Sequence, residues 1–460
     1  MSRSIRFLSA LLISALTFLG SAFPAQASGS TELWTTTSKS SFVGLSLPPK
    51  VAIKGNVGAV AWVQRTGIAS SKLMVRVMRT GVWGSSDTLV TNTSDWWDAF
   101  DVQVSASGKV YVAYQTPDVT LTVFTSSEAN VWTNAVVDDS SSNLGATEVS
   151  GTTTGGLVAF TSSRADSNRS ATLSSYVFDE SNSGAGWTTT AVHTFTASDF
   201  SSCTIKHNYY DSCAVDVNES QFAIAADGSE VLFTNVGRNS ANGLPPTNQF
   251  KLFKFHRGDS LSDWISDGAV NTLTLGSKDN GYSFFLGDLA TTSTGKYAIA
   301  LTTGGSSANT LRIFTGATFA SAPVASDTTY IASLKSTDAA SIVALNNDFY
   351  VAFDAQSKHK FGKVGSLSTT TTAMSQASSD QEVSNLLVVG GNIVAVIITP
   401  KGATYLTTRT TIWSAKTKVL SYGGASSPNN GPAVTDGSYL LLAAPRFNGN
   451  RMTGLYSYNN

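Results

Sequence analysis

The sequence has few charged residues and no excess of either sign. Only 13% of its 460 residues are charged, and 30 basic residues balance 31 acidic ones to a net charge of −1. Neither nucleic acid nor an anionic membrane therefore has an electrostatic reason to bind. Long surface helices usually carry many Glu and Lys, whereas strands with uncharged outer faces are rich in Ser and Thr, as this sequence is. We predict an all-β protein.

Common catalytic signatures are also missing. The sequence contains no G-x-S-x-G, H-E-x-x-H or C-x-x-C motif and no phosphate-binding glycine loop. Its four histidines lie in separate parts of the chain without the spacing of metal ligands. We expect no zinc site and no cofactor.

Long apolar runs are absent after the N-terminus. There, Arg3 and Arg6 precede an apolar run from Phe7 to Leu19, which is too short to span a bilayer, and Ala25-Gln26-Ala27 offers the small residues of a cleavage site. Residues 1–27 are predicted to be a signal peptide, and residues 28–460 are predicted to form one domain. The protein is expected to be secreted, either extracellular or periplasmic, and not anchored in a membrane.

Cysteine is almost absent. Cys203 and Cys213 are the only two, and they flank the short segment "CTIKHNYYDSC". In an exported protein, two cysteines this close predict a disulfide bond that closes one loop.

A short apolar element recurs after a turn residue throughout the chain. Its mean step is about 54 residues, enough for four strands and their turns. The eight copies are GAVAWV from Gly58, GKVYVAY from Gly108, GGLVAFT from Gly155, GSEVLFT from Gly228, GKYAIAL from Gly295, NDFYVAF from Asn347, GNIVAVI from Gly391 and GSYLLLAA from Gly437.

The second unit shows the full repeat most clearly. FDVQVSA, KVYVAY, LTVFTS and VWTNAVV follow one another as four strands of a meander. The second is apolar at nearly every position and should be buried on both faces, whereas the fourth should lie at an edge. Tryptophans fall near this outer strand and are predicted to pack between units: Trp83, Trp132, Trp187, Trp264 and Trp413.

The chain ends complement each other. The last unit, from Pro432 to Tyr458, has three strands only, while TELWTTTSKS near the N-terminus carries Trp34 at the outer-strand position. A fourth strand supplied from the N-terminus would close a ring of antiparallel four-stranded blades, which protects sheet edges. We predict one β-propeller of eight blades by repeat count, with seven as the alternative.

These repeats resemble those of secreted bacterial β-propellers, a broad group that includes sialidase-like and lectin-like repeats. Sialidase-like propellers carry a Ser-x-Asp-x-Gly-x-Thr-Trp box between the third and fourth strands. The nearest segment here, SNSGAGWTT from Ser181, lacks the aspartate. The resemblance therefore implies a propeller fold and carbohydrate binding, and transfers no catalytic residue.

Candidate ligand-binding residues lie in the segments that join the fourth strand of one unit to the first strand of the next. In a propeller these loops converge on one face. Carboxylates there would suit sugar hydroxyls or a hard cation such as calcium, although Asp is also an ordinary turn residue. The carboxylates are Asp95, Asp98, Asp101, Asp138, Asp139, Asp211, Asp279, Asp338 and Asp380. Aromatic rings and a histidine accompany two of these loops and would stack on sugar rings: Trp96, Trp97, His207, Tyr209 and Tyr210.

Three functions fit these features. The favoured one is a non-catalytic, monomeric binding module for a glycan or an extracellular protein. The alternative is a polysaccharide-acting hydrolase or lyase, with a carboxylate pair or with His207 and a neighbouring tyrosine as acid and base. Binding is favoured because the arginines that acidic sugars would require do not recur at equivalent repeat positions. A scaffold role in a larger assembly is the third.

Overall fold

The computed structural model describes most of the chain outside its first 30 residues. The described residues are 31–35, 44–45, 49–67, 70–93, 100–115, 120–126, 130–138, 143–151, 156–165, 170–195, 214–215, 221–224, 230–238, 249–260, 263–269, 273–274, 283–304, 309–318, 320–321, 324–331, 340–355, 358–370, 372–374, 382–398, 403–420, 433–445 and 451–458. They form antiparallel strands with two short helices, so the predicted all-β class is confirmed.

The strands of the first half, in these ranges, form sheets 1 to 4. Sheet 1 contains β2 (Gly44–Leu45), β3 (Lys50–Lys54), β4 (Val57–Gly67), β5 (Ser70–Arg79) and β6 (Val82–Thr93). Sheet 2 contains β7 (Phe100–Val104), β8 (Val110–Gln115), β9 (Leu121–Ser126) and β10 (Trp132–Asp138). Sheet 3 contains β11 (Asn143–Gly151), β12 (Gly156–Ala165), β13 (Ser170–Asp179) and β14 (Trp187–Phe195), with a 3-10 helix at Glu180–Ala185. Sheet 4 contains β15 (Ala214–Val215), β16 (Gln221–Ile224), β17 (Glu230–Arg238), β18 (Gln249–Arg257), β19 (Trp264–Ala269) and β20 (Leu273–Thr274).

The remaining strands form sheets 5 to 8. Sheet 5 contains β21 (Ser283–Thr291), β22 (Tyr297–Gly304), β23 (Asn309–Gly316) and β24 (Val324–Ile331). Sheet 6 contains β25 (Ser341–Leu345), β26 (Asp348–Ala355), β27 (Lys358–Lys363) and β28 (Thr372–Ala373), with helix α1 (Leu367–Thr370). Sheet 7 contains β29 (Glu382–Val389), β30 (Asn392–Ile398), β31 (Thr404–Arg409) and β32 (Thr417–Leu420). Sheet 8 contains β33 (Ala433–Thr435), β34 (Tyr439–Pro445), β35 (Arg451–Tyr458) and β1 (Thr31–Thr35) from the N-terminus.

Each recurring apolar element of the sequence is the second strand of a different sheet. All six residues of β8 are buried, and so are six of the seven in β30, as expected of strands with protein on both faces. The preceding turns explain the recurring glycine. Gly108 and Gly295 have φ values of 80° and 83°, a left-handed conformation that favours glycine. At the equivalent place Asn346 and Asn347 both have positive φ, as a two-residue type I′ hairpin turn requires.

The sheets pack face to face in chain order. We call β3, β7, β11, β16, β21, β25, β29 and β33 the inner strands, since each contacts the inner strand of the sheets before and after it. Apolar clusters fill the spaces between sheets; one joins Val75 and Phe100 of sheets 1 and 2, and another joins Val396 and Leu440 of sheets 7 and 8. Antiparallel sheets packed in series through their first strands define the β-propeller fold.

Sheet 8 brings the two ends of the chain together. Strand β1 pairs antiparallel with β35, with Trp34 opposite Met452. The same sheet contacts sheet 1 on its other side, where the backbone N–H of Gly55 donates to Asp436 Oδ2 at 2.5 Å and Trp62 packs with Leu441.

Four of the five tryptophans predicted to pack between units lie between sheets. Trp83, Trp132, Trp187 and Trp413 are partly buried, and each packs against a cluster that joins two sheets. Trp132 also donates its indole N–H to Asp87 of sheet 1 at 3.0 Å.

Candidate functional site

A cavity lies at the centre of the described structure, between the inner strands. Its volume is about 650 Å³, and inner strands from sheets 1, 2, 5, 6, 7 and 8 contribute to its wall. It extends to the turns that follow these strands, where Ala106 and Gly437 are exposed, so the cavity is open to solvent on that side. Small-molecule sites have volumes of roughly 300–1,000 Å³.

The wall combines apolar residues with uncharged polar groups. Leu289, Ile342 and Leu387 represent the apolar part. The uncharged polar part includes Gln103 and Asn385, whose amides both donate and accept hydrogen bonds. Three ionisable side chains also line the cavity: Lys54, Asp288 and Asp436.

Asp288 is positioned by a bulge in β21, where the register with β22 shifts between Leu286 and Asp288. Its Oδ1 accepts from Leu289 N at 2.9 Å, and its Oδ2 accepts from Ile342 N at 3.3 Å and from the Ser341 hydroxyl at 3.4 Å. Burial raises the pKa of Asp288 from 3.8 to about 7, because loss of water outweighs these three hydrogen bonds to the carboxylate. Asp288 is half-buried and lines the cavity.

The position of Asp288 recurs in other sheets. Asp288 lies opposite Ala300, as Ser341 lies opposite Ala352 and Asn385 opposite Val396. Ser341 Oγ accepts from Leu386 N of the next inner strand at 2.9 Å, which repeats the contact from Asp288 to Ile342. This position therefore joins neighbouring inner strands through a side-chain acceptor.

The two other ionisable residues lie at the cavity mouth. The Asp436 carboxylate accepts from the backbone N–H groups of Gly55, Ser438 and Tyr439 at 2.5, 3.1 and 2.8 Å, so it holds turns of sheets 1 and 8. Lys54 is exposed at the end of β3. An adjoining recess of about 740 Å³ also includes Arg79, which donates to the Gly108 carbonyl at 2.9 Å.

Most sequence-predicted site residues lie outside the described residues. These are Asp95, Trp96, Trp97, Asp98, Asp139, His207, Tyr209, Tyr210, Asp211, Asp279, Asp338 and Asp380. Cys203, Cys213 and the predicted signal peptide lie outside them as well. Their roles remain predictions.

Two aspartates assigned to loops lie on strands instead. Asp101 is the second residue of β7, half-buried, and its Oδ1 accepts from Val102 N at 2.9 Å. Asp138 is the last residue of β10. Asp101 lies in the strand that was predicted from FDVQVSA, so its additional assignment to the preceding loop was wrong. Asp138 extends the predicted strand VWTNAVV by one residue.

Sequence reasoning missed Asp288, although a signal was present. "DVQVSASGK" and "DLATTSTGK" place Asp101 and Asp288 at the same distance before the turn glycine. Both are opposite an alanine of the second strand, Ala113 and Ala300.

In the part of the chain that the structure describes, no helix is long and apolar enough to cross a membrane. No group of three or more His, Cys, Asp or Glu side chains in the same ranges is arranged to hold a metal ion.

Comparisons with known proteins give distant structural likenesses only. No family model matches the sequence, and a search of curated proteins also finds no match. The chain is similar to the β-propeller domain of the Trilobed protease from Pyrococcus furiosus, at 10% identity over 83% of this chain and 99% of that one, with a TM-score of 0.42. It is similar to the polysaccharide lyase Uly1 at 12% identity over 90% of each chain, with a TM-score of 0.48. Similarity to a Trypanosoma rangeli sialidase covers 76% of this chain and 59% of that one, at 9% identity and a TM-score of 0.37.

Proposed function

We propose that this protein is a secreted, non-catalytic β-propeller module that binds a glycan in its central cavity. The observation that carries the proposal is the cavity itself, which is concave, open at one end and lined by amides, hydroxyls and small apolar groups. Such a wall suits sugars, since hydroxyls exchange hydrogen bonds with amides while C–H faces contact apolar side chains. A protein partner would need a broader surface, of roughly 800 Å² on each side.

The proposal includes a complete ring of eight blades, closed by β1. Contacts between successive inner strands support it, since they run from β3 through β33 and return to β3. Pairing of β1 with β35 and the hydrogen bond from Gly55 to Asp436 support it further. The central cavity would then be the axial opening of the ring.

Export and a second binding surface are also part of the proposal. Residues 1–27 would be removed as a signal peptide, and Cys203 and Cys213 would form a disulfide in the exported protein. The acidic and aromatic residues that the sequence predicts as ligand-binding residues come before inner strands in the chain. The mouth of the cavity lies instead at the turns that follow the inner strands. A long glycan would contact both ends of the axis.

A polysaccharide-acting enzyme is the second candidate, and one observation favours it. A pKa of about 7 at Asp288 is suited to a general acid near neutral pH. A hydrolase also needs a second carboxylate roughly 5–10 Å away. Asp436 lines the same cavity, although its carboxylate is occupied by three backbone N–H groups. Release of reducing ends or unsaturated sugars from any polysaccharide, lost in Asp288→Asn, would select this candidate.

Blocking the cavity mouth tests the binding site. Ala106→Trp adds an indole at an exposed turn on the cavity wall. We expect glycans that bind the wild-type protein on an array to bind this variant at least about tenfold more weakly, because the ring occupies the ligand's entrance. Titration calorimetry on the best array ligand measures the loss.

Ser183→Trp is the matched control, since Ser183 is exposed on the 3-10 helix of sheet 3 and does not line the cavity. It should bind as the wild type does. Unchanged affinity in Ala106→Trp, with the control also unchanged, would contradict binding in the cavity.

A further inference from the structure

The negative charge of Asp288 exceeds what the fold needs at its position. In sheet 5 the Asp288 carboxylate accepts from Ile342 N of the next sheet, and in sheet 6 the neutral hydroxyl of Ser341 accepts from Leu386 N in the same way. The hydroxyl makes the shorter contact, 2.9 Å against 3.3 Å. A neutral acceptor is therefore sufficient to join two inner strands.

The carboxylate of Asp288 has no cationic partner among the described residues. Its hydrogen-bond donors there are two backbone N–H groups and one hydroxyl, and none carries a charge. The one basic residue on the described cavity wall is Lys54, which is exposed at the mouth and forms no ion pair with Asp288. Burying an anion without a counter-charge is costly, and sites that tolerate this cost are candidates for ligand recognition.

We propose that Asp288 recognises a cationic group of the ligand, specifically the ammonium of an amino sugar. This inference rests on the proposed function, because it names the class of glycan that the central cavity would bind. An ammonium group at the carboxylate would supply the missing counter-charge and donate a hydrogen bond to Oδ1, which accepts only from Leu289 N and has a lone pair left. The surrounding amides and apolar side chains would hold the rest of the sugar.

The titration of Asp288 agrees with this geometry. Burial holds its pKa near 7, so close to neutral pH a nearby cation is enough to favour the ionised form. A neutral sugar would give no such stabilisation of the ionised form, and an anionic sugar would repel it.

A matched pair of oligosaccharides tests the inference. Chitotetraose carries free amino groups, whereas its tetra-N-acetylated form has the same backbone without the charge. Titration calorimetry at pH 6.5 should show chitotetraose binding the wild-type protein at least about tenfold more tightly, as expected for one charge-assisted contact in a partly buried site. In Asp288→Asn and Asp288→Ser this preference should disappear.

The two variants have different purposes. Asp288→Asn preserves the shape of the side chain, and Asp288→Ser copies the neutral acceptor that sheet 6 already uses. Asp348→Asn is the control: it removes an exposed carboxylate that pairs with Lys363 and does not line the cavity, so the preference should persist. Melting curves confirm that each variant is folded.

Each result has one meaning. Equal affinity for the two tetrasaccharides, no binding of chitotetraose, or a preference that survives in both Asp288 variants would overturn the inference. The proposed function is judged separately, because array binding of uncharged glycans that Ala106→Trp abolishes would uphold it without any role for an ammonium group.

Discussion

Asp267→Ala is expected to lower the free energy of unfolding by about 3–5 kcal/mol, because it removes a carboxylate that pairs with a buried lysine. Lys254 in β18 is fully buried, and its Nζ lies 2.5 Å from Asp267 Oδ2. The second carboxylate oxygen, Oδ1, lies 2.7 Å from His256 Nδ1, so the Asp267 carboxylate contacts both Lys254 and His256. Denaturant unfolding followed by tryptophan fluorescence measures the loss.

Asp348→Ala provides the matched control. Asp348 and Lys363 form the same kind of pair at 2.7 Å, but their side chains are 43% and 41% exposed. Exposed pairs contribute little to stability because water screens them, so this variant should unfold almost as the wild type does. Similar losses in the two variants would show that the buried position of Asp267 has no special energetic role.

Asp288→Asn is expected to stabilise the protein at pH 8 relative to the wild type, by up to about 4 kcal/mol. The folded-state pKa of Asp288, about 7, lies above its reference value of 3.8. A raised carboxyl pKa gives stability that is complete below pH 3.8 and is lost as the pH rises through about 7. The full figure is an upper bound, since the cavity-facing surface of Asp288 keeps some contact with solvent.

The measurement is the difference in unfolding free energy between Asp288→Asn and the wild type from pH 4 to pH 8. That difference should grow in favour of the variant up to about pH 7 and then level off. The pH-dependent contributions of the other carboxylates are the same in both proteins and therefore cancel in the difference. Asp259→Asn, on an exposed turn, should change stability by less than about 0.5 kcal/mol at every pH. A difference for Asp288→Asn that does not vary with pH would contradict the raised pKa.

Much of the fold could be predicted because it repeats. Strand β8 is apolar at nearly every position and follows a turn glycine, and copies of this pattern mark the second strand of each described sheet. Burial on two faces requires such a run, so the pattern is a direct consequence of packing between sheets. The pairing of β1 with β35 also followed from the sequence, since the last unit lacked a strand that the N-terminus could supply.

The cavity could not be predicted in the same way. Its wall is built from short stretches of inner strands that are far apart in sequence, which include Lys54, Asp288 and Asn385. These strands are short, and a polar residue within one resembles an ordinary edge-strand or turn residue. A search for aspartates in loops therefore did not find Asp288. Asp101 and Ser341 occupy the positions in β7 and β25 that are equivalent to that of Asp288 in β21.

The complete ring is the central claim, and a cross-link between the chain ends tests it most directly. Glu32 in β1 lies opposite Thr453 in β35. In the doubly substituted protein Glu32→Cys/Thr453→Cys, mild oxidation followed by peptide mass mapping should find the two new cysteines joined within one chain. The pair Glu32→Cys/Ser183→Cys, which places one cysteine in sheet 3, should give no such link. Failure of the first pair to form an intramolecular link would mean that β1 does not complete sheet 8, and the closed ring around the cavity would be wrong.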